Sequence, residues 1–269
     1  MANVNDTYKN FVNRIMTYGD NVICRGYETK EIISNIAMIN MKNPLITLEK
    51  RKIGYRFAFA EAAWILSGDN HCEPMQSFSK TIGNFSDDEE FFAGAYGPKI
   101  LDQLPYIIDC FKRDLGTRQA VINIWRERPY PSKDIPCTLS IQFFIRDNIL
   151  HIVDNMRSSD AWLGVPYDWF NFSMLGAYIT LLLKQTLNIG LSLGNLYFHA
   201  ASSHIYNNGF NYTNSDVEKM LVSNDTNATC SFLDIDEFCV SSFIPFLWAR
   251  ANKQNTVEKS LEVIKHETK

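Results

Sequence analysis

Leu139-Ser140-Ile141-Gln142-Phe143-Phe144-Ile145, then Arg146-Asp147-Asn148, then Ile149-Leu150-His151-Ile152-Val153-Asp154-Asn155-Met156 is the stretch from which the fold is read. Both flanks alternate in polarity, the period that places successive side chains on opposite faces of a strand. Asp147-Asn148 tolerates positive φ, so the run predicts a β-hairpin. Working outward, Asp168 to Leu187 is too long and too continuously apolar for a strand, and predicts a buried helix that ends before Asn188 and Gly190. Further strands are expected over Thr29–Met41, Gln119–Trp125 and Leu191–Ala200. Helices are expected over Thr7–Met16, Tyr55–Leu66 (stopped near Gly68), Ile100–Arg113 and His204–Leu221. Asn70 to Glu90, with the acidic run Asp87-Asp88-Glu89-Glu90, reads as surface loops. No repeat, Pro-rich linker or low-complexity tract divides the chain, so residues 1–269 are read as one α+β domain with helices covering a large mixed sheet.

Composition narrows the class. The chain has 269 residues, 46% of them hydrophobic and 21% charged, which fits a globular protein able to bury a core. A formal net charge of -4 supplies no basic field for a nucleic-acid backbone, and no nucleic-acid partner is expected. The polar start, Met1-Ala2-Asn3-Val4-Asn5-Asp6, lacks the apolar centre of a signal peptide, and the apolar run near Ser173–Leu183 is too short to span a bilayer. Cys24, Cys72, Cys110, Cys137, Cys230 and Cys239 show no CxxC pairing, which argues against a zinc ribbon or disulfide scaffold and for a reducing cytoplasm. No metal is expected. Triplets such as Asn227-Ala228-Thr229 are read as accidental glycosylation patterns.

Several residues carry chemistry. Cys137, after Pro136 and before a strand, is a nucleophile if cations lower its pKa, and an inert core cysteine otherwise. Arg157-Ser158, a guanidinium beside a hydroxyl, suits an anion, and Arg25 and Arg118 are further candidates against the alternative of solvated surface charges. Glu61 lies inside Phe57-Ala58-Phe59-Ala60-Glu61-Ala62-Ala63-Trp64, where desolvation raises a carboxyl toward neutral pH, as a general acid/base needs; the alternative is a snorkelling or paired structural glutamate. His204 and Tyr206 offer hydrogen bonds to a sugar hydroxyl, against the alternative of a satisfied histidine at a helix end. Asp69 reads as a turn residue, and no Gly-rich phosphate loop, HExxH or GxSxG is present.

Taken in order, these residues resemble the thymidylate synthase superfamily over about Arg25 to Phe210. The anchors are Glu61 with Trp64 and Gly68-Asp69; Ala95-Tyr96-Gly97; Arg118; Pro136-Cys137; Gln142-Phe143; Arg157-Ser158-x-Asp160-x-x-Leu163-Gly164-x-Pro166; and His204-Ile205-Tyr206. The resemblance implies a homodimer, a pyrimidine nucleoside monophosphate substrate and the folate one-carbon donor 5,10-methylenetetrahydrofolate. It implies that Cys137 adds to pyrimidine C6, making C5 nucleophilic, and that Glu61 organises water and proton transfer. Tyr96 and Asp160 are implied near the proton network, and Asp160, Gly164, Trp64 and Tyr167 near the folate. Arg25, Arg157 and Ser158 are implied phosphate ligands, with Arg118 reaching the partner subunit's site. His204 and Tyr206 are implied at the sugar 3′-hydroxyl, and Gln142 beside the nucleotide.

The departures point to one branch. Asp168 stands where enzymes acting on dUMP carry Asn. An amide both accepts and donates, whereas an ionised carboxylate only accepts, which suits the amino edge of cytosine. Asp here, with Thr138 after the nucleophile, is similar to the dCMP hydroxymethylase branch. Gln119 replaces a second Arg, and no Trp lies between Trp64 and Trp125. Beyond about Asn224 the resemblance is not traced, and the charged end Glu262–Lys269 lacks the apolar seal of the synthases, which favours water over hydride. The expected activity is dCMP to 5-hydroxymethyl-dCMP. The alternatives are CMP hydroxymethylation, methylation of dUMP, a non-catalytic nucleotide- or RNA-binding relative and, more remotely, a thiol hydrolase.

Overall fold

The computed structural model describes residues 3–128, 130–207, 210–223 and 233–253. The hairpin expected from the opening stretch forms as β4 (Thr138–Arg146) and β5 (Ile149–Asp160), joined by Asp147 and Asn148 at φ 50° and 58°. Those angles are the paired positive values of a type I′ turn, whose twist matches the strands. The remaining strands are β1 (Asp20–Cys24), β2 (Tyr27–Asn40), β3 (Val121–Asn123) and β6 (Ser192–Tyr206), and the sheet order is β1-β2-β6-β5-β4-β3. Only β5 and β6 run parallel among these neighbours, and such a pair needs a long crossover. The crossover is α5 (Val165–Leu187).

The other helices are α1 (Val4–Tyr18), α2 (Tyr55–Leu66), α3 (Glu73–Gln76), α4 (Tyr96–Arg113), α6 (Asn214–Val222) and α7 (Val240–Ala251). Tyr8, Phe11, Val12 and Ile15 recur at helical spacing and are fully buried, so one stripe of α1 faces the sheet. α5 is apolar nearly all round because it lies between β5–β6 and α2, with α7 packed on α2 and α5. A Cβ on Gly176 would stand 2.7 Å from Met41 Sδ and 3.0 Å from Ile152 Cδ1, so glycine here lets α5 approach the sheet without displacing those side chains. The opposite sheet face leaves Ile36, Met38 and Tyr197 exposed, with Met38 and Tyr197 paired across β2 and β6.

Three expectations are corrected. His204–Leu221 is not one helix: β6 continues to Tyr206, with His204 paired to Glu31 and Tyr206 to Thr29. The helix starts only after Thr213, whose hydroxyl and the Asp216 carboxylate form a capping box. The strand expected over Gln119–Trp125 shrinks to β3, because the amides of Ile124 and Trp125 both turn to the Leu139 carbonyl. The Asn70–Glu90 segment is not all loop, since it holds α3 and a 3-10 turn at Ile82–Phe85; the acidic run itself is exposed loop, in which Asp88 Oδ1 accepts from the amides of Glu90 and Phe91 at 2.9 and 2.8 Å. Among the described residues no helix is long and apolar enough to cross a membrane. The tail Glu262–Lys269 and Cys230 lie outside the described residues.

Candidate active site

Cys137 is the last residue before β4, and its position is fixed from three sides. The Tyr96 hydroxyl accepts from the amides of Cys137 and Thr138, each at 3.2 Å. The Arg157 amide donates to the Cys137 carbonyl at 2.8 Å. The Arg157 guanidinium donates to the carbonyls of Pro136 (2.9 Å) and Ile135 (3.1 Å) and reaches Cys137 Sγ at 3.8 Å. Hence β5, which pairs with β4, delivers the cation that faces the thiol. Burial pushes the Cys137 thiol up; Arg157 and Arg25 pull it down, while Asp168 and Asp134 push it up.

The thiol opens into a cleft of about 230 Å³. Glu61, Trp64, Tyr96, Asp134, Cys137, Asp168 and Asn171 line it, with Met75, Ile82, Phe85 and Phe92 forming an apolar wall. Burial pushes Glu61 up to about 7, against a 2.7 Å hydrogen bond donated by Asn171 Nδ2, with the Asp168 charge adding to the rise. Burial likewise pushes Asp168 up to about 6, opposed by Ser159 Oγ at 3.4 Å and assisted by Asp160. Asp168 does not cap α5. The cap position is Gly164, and Asp168 lies within the first turn. A Cβ on Gly164 would come within 3.3 Å of Asp168 Oδ2, so the glycine leaves the carboxylate its room.

A second group lies at the ends of β5 and β6. Asp160 pairs with His204, and the His204 and Tyr206 rings meet at 5.1 Å. Arg25 sits at φ 51° in the β1–β2 turn, and its charge acts on His204, Tyr206 and Cys137. Burial pulls His204 down, Glu31 opposing and Arg25 and Arg157 adding. Asp160 Oδ1 accepts from the amides of Trp162 and Leu163 at 2.7 and 2.8 Å, while its buried Oδ2 has no hydrogen-bond partner among the described residues; burial pushes the carboxyl up to about 6.

The sequence profile of the thymidylate synthase family matches residues 6–241, most of the chain. The chain belongs to the thymidylate synthase family. The match is wider at both ends than the resemblance traced from motifs alone. The chain is 30% identical over 222 residues to the deoxyuridylate hydroxymethyltransferase of Bacillus phage SP01, covering 74% of this chain and 56% of that protein. It is 24% identical over 215 residues to the thymidylate synthase of Buchnera aphidicola, covering 75% and 79%. It is 25% identical over 213 residues to that of Coxiella burnetii, covering 74% and 78%. The chain thus spans little more than half the length of the phage relative.

Within this family fold the expected residues divide. Cys137, Glu61, Tyr96, Trp64 and Asp168 meet in the cleft, and Arg157 reaches the thiol from beside it. Arg25, His204 and Tyr206 gather by charge and ring contact, and Ser158 pairs with Ser202 in the adjoining register. Arg118 and Gln142 lie apart from the cleft lining: Arg118 is exposed, and the Gln142 amide donates to its carbonyl at 2.8 Å. Tyr167 is not on the lining either, because its hydroxyl accepts the Gly54 amide at 3.1 Å. Motif reading missed Asn171, Ser159 and Asp134. Asn171 was legible, since three residues after Asp168 on a helix is the same face; Ser159 and Asp134 gave no signal until strand and loop were folded.

Proposed function

We propose that this chain is a folate-dependent pyrimidine nucleotide hydroxymethyltransferase, converting dCMP to 5-hydroxymethyl-dCMP. The observation that carries the cytosine reading is Asp168, a carboxyl enclosed in the same cleft as Cys137 and pushed up to about 6. A neutral carboxyl donates to cytosine N3 and accepts from its N4 amino group, and an ionised one keeps both contacts when N3 is protonated. In this reading Cys137 adds to C6; burial raises its thiol, and Arg157 and Arg25 oppose that rise. Glu61, near neutrality, exchanges protons with water in the cleft, and Tyr96 holds the nucleophile's backbone. Arg25, Arg157 and Ser158 take the phosphate, and His204 and Tyr206 the sugar.

Members of the family use 5,10-methylenetetrahydrofolate as co-substrate, which supplies the one-carbon unit. The residues present fit it: the wall of Trp64, Met75, Ile82, Phe85 and Phe92 suits a flat ring system, and the orphaned Asp160 Oδ2 is an acceptor awaiting a donor. Gly164 belongs to the same turn as Asp160, whose carbonyl its amide meets at 3.0 Å. A homodimer is part of the proposal. The apolar strip of Ile36, Met38 and Tyr197 suits a second copy, with Arg118 donated to the partner's site.

Hydroxymethylation rather than methylation is supported by the phage relative's name, and that name also favours a second reading, dUMP as substrate. Initial rates on dCMP, CMP and dUMP, with 5-hydroxymethyl and 5-methyl products and dihydrofolate and tetrahydrofolate separated, decide among these. A preference for dUMP overturns the cytosine reading, and a methyl product overturns hydroxymethylation. Cys137→Ser is expected to abolish turnover while nucleotide binding, measured by equilibrium dialysis, persists; surviving turnover would refute the covalent step.

A further inference from the structure

Asp134 lines the same cleft as Cys137, and the proposed reaction gives it no task. Its carboxylate is seated by the surrounding backbone. Oδ2 accepts from the Gly94 amide at 2.6 Å, and the Asp134 amide donates to Ser132 Oγ at 3.0 Å. Asp87 anchors that loop from behind, accepting from Ser132 Oγ at 2.6 Å and from the Lys133 amide at 2.9 Å. A Cβ on Gly94 would stand 2.7 Å from the Asp134 carbonyl oxygen and 3.0 Å from Oδ1, so only glycine lets the carboxylate sit there. Asp134 Oδ1 has no hydrogen-bond donor among the described residues. Burial pushes the carboxyl up, against the Gly94 amide, Lys99 and Arg126 and with the Asp87 charge, which makes it more basic than a solvated aspartate. The other two cleft carboxyls already hold partners, Glu61 with Asn171 and Asp168 with Ser159.

We propose that Asp134 is the base for the water that adds to the exocyclic methylene on pyrimidine C5, and so directs the reaction to a hydroxymethyl product. This rests on the nucleotide reading above. In that step the water oxygen bonds to the methylene carbon and the methylene π pair moves into the ring. The C5–C6 double bond re-forms as the C6–Sγ bond breaks, and Cys137 leaves as thiolate. The water proton passes to Asp134 and then to solvent, so atoms and charge balance with no oxidant or reductant.

Exchange of the C5 hydrogen with solvent needs addition of Cys137 but neither folate nor the water step, so it separates the two claims. The full chain in D2O with dCMP, and separately with dUMP, is followed by loss of the C5 proton signal. The nucleotide that exchanges is then supplied with 5,10-methylenetetrahydrofolate, and the 5-hydroxymethyl product is measured. Asp134→Asn is expected to keep exchange within about threefold while hydroxymethyl formation falls about 100-fold. Asp134→Ala is expected to do the same and to regain product when formate is added. Product within about threefold of the parent in both variants overturns the assignment, as does parallel loss of exchange and product in both. If the parent exchanges neither nucleotide, the nucleotide reading itself fails and this inference falls with it.

Discussion

Asp168 is where one side chain carries the most consequence. A neutral carboxyl matches uracil as well as cytosine, donating to O4 and accepting from N3–H, whereas an ionised one repels O4. Its pKa near 6 therefore makes selectivity a function of pH. Turnover of dUMP should fall as pH rises from 5 to 8 through that value, while dCMP, which can share its N3 proton, holds; the ratio of kcat/KM values across this range measures it. Asp168→Asn should reverse the preference toward dUMP, shifting that ratio by about 100-fold or more, because a mismatched edge leaves buried polar groups unpaired. A different carboxyl, Asp154, is fully buried on β5 with neither oxygen hydrogen-bonded among the described residues, and burial holds it well above the carboxylate range, with the Asp168 charge adding. Its folded pKa exceeds its unfolded one, so its effect on stability is absent in acid and grows unfavourable as pH rises above about 4. Asp154→Leu is accordingly expected to raise Tm at pH 8 and to change it less at pH 4, read by thermal unfolding at both. Alternation in the opening stretch put this carboxylate on the inward face, but its lack of a partner is a fact of packing.

At the scale of elements, α5 does two jobs. Its apolar body fills the space over β5 and β6, and its first two turns hold Asp168 and Asn171 toward the cleft. The helix can approach the sheet because Gly176 meets Met41 and Ile152 with no side chain between them. Gly176→Val should cost about 1–3 kcal/mol by overpacking, measured as a lowered denaturation midpoint in urea. The mostly apolar helix Tyr55–Leu66 was legible to the residue, while α1, α4 and α5 each begin three or four residues before their expected starts. The segment after His204 was not, because whether β6 continues past Ala200 depends on the length of β2, its partner from far earlier in the chain. Trp64 shows the same division: its place inside a helix is readable, but its indole donating to the His71 carbonyl at 3.1 Å depends on how the following loop folds back.

For the whole molecule, the site is expensive. Glu61, Asp160 and Asp168 are raised to about 7, 6 and 6, each by burial first. All three stay protonated to higher pH in the folded than in the unfolded state, so, as for Asp154, stability is greatest below about pH 4 and falls as pH rises toward 6–7. Glu61→Gln should therefore stabilise the protein at pH 8, by roughly 3 kcal/mol or less, with little change at pH 4; paired urea titrations measure it. The open face of the sheet makes the second prediction at this scale. Ile36→Glu is expected to shift the assembly to monomers in analytical ultracentrifugation and to lower turnover with it, since the proposed phosphate contact of Arg118 crosses that interface.

The order of motifs from Glu61 to Tyr206, with hydrophobic periodicity, was enough to determine the family, the hairpin and the central helix, because local pattern and spacing are properties of the chain itself. Tertiary structure decided which of those residues meet. Only folding brings Asn171 to Glu61, Ser159 to Asp168 and Asp134 to the cleft, and only burial moves the carboxyls from the acid range toward neutrality, since desolvation depends on every neighbour at once and on no single stretch of sequence.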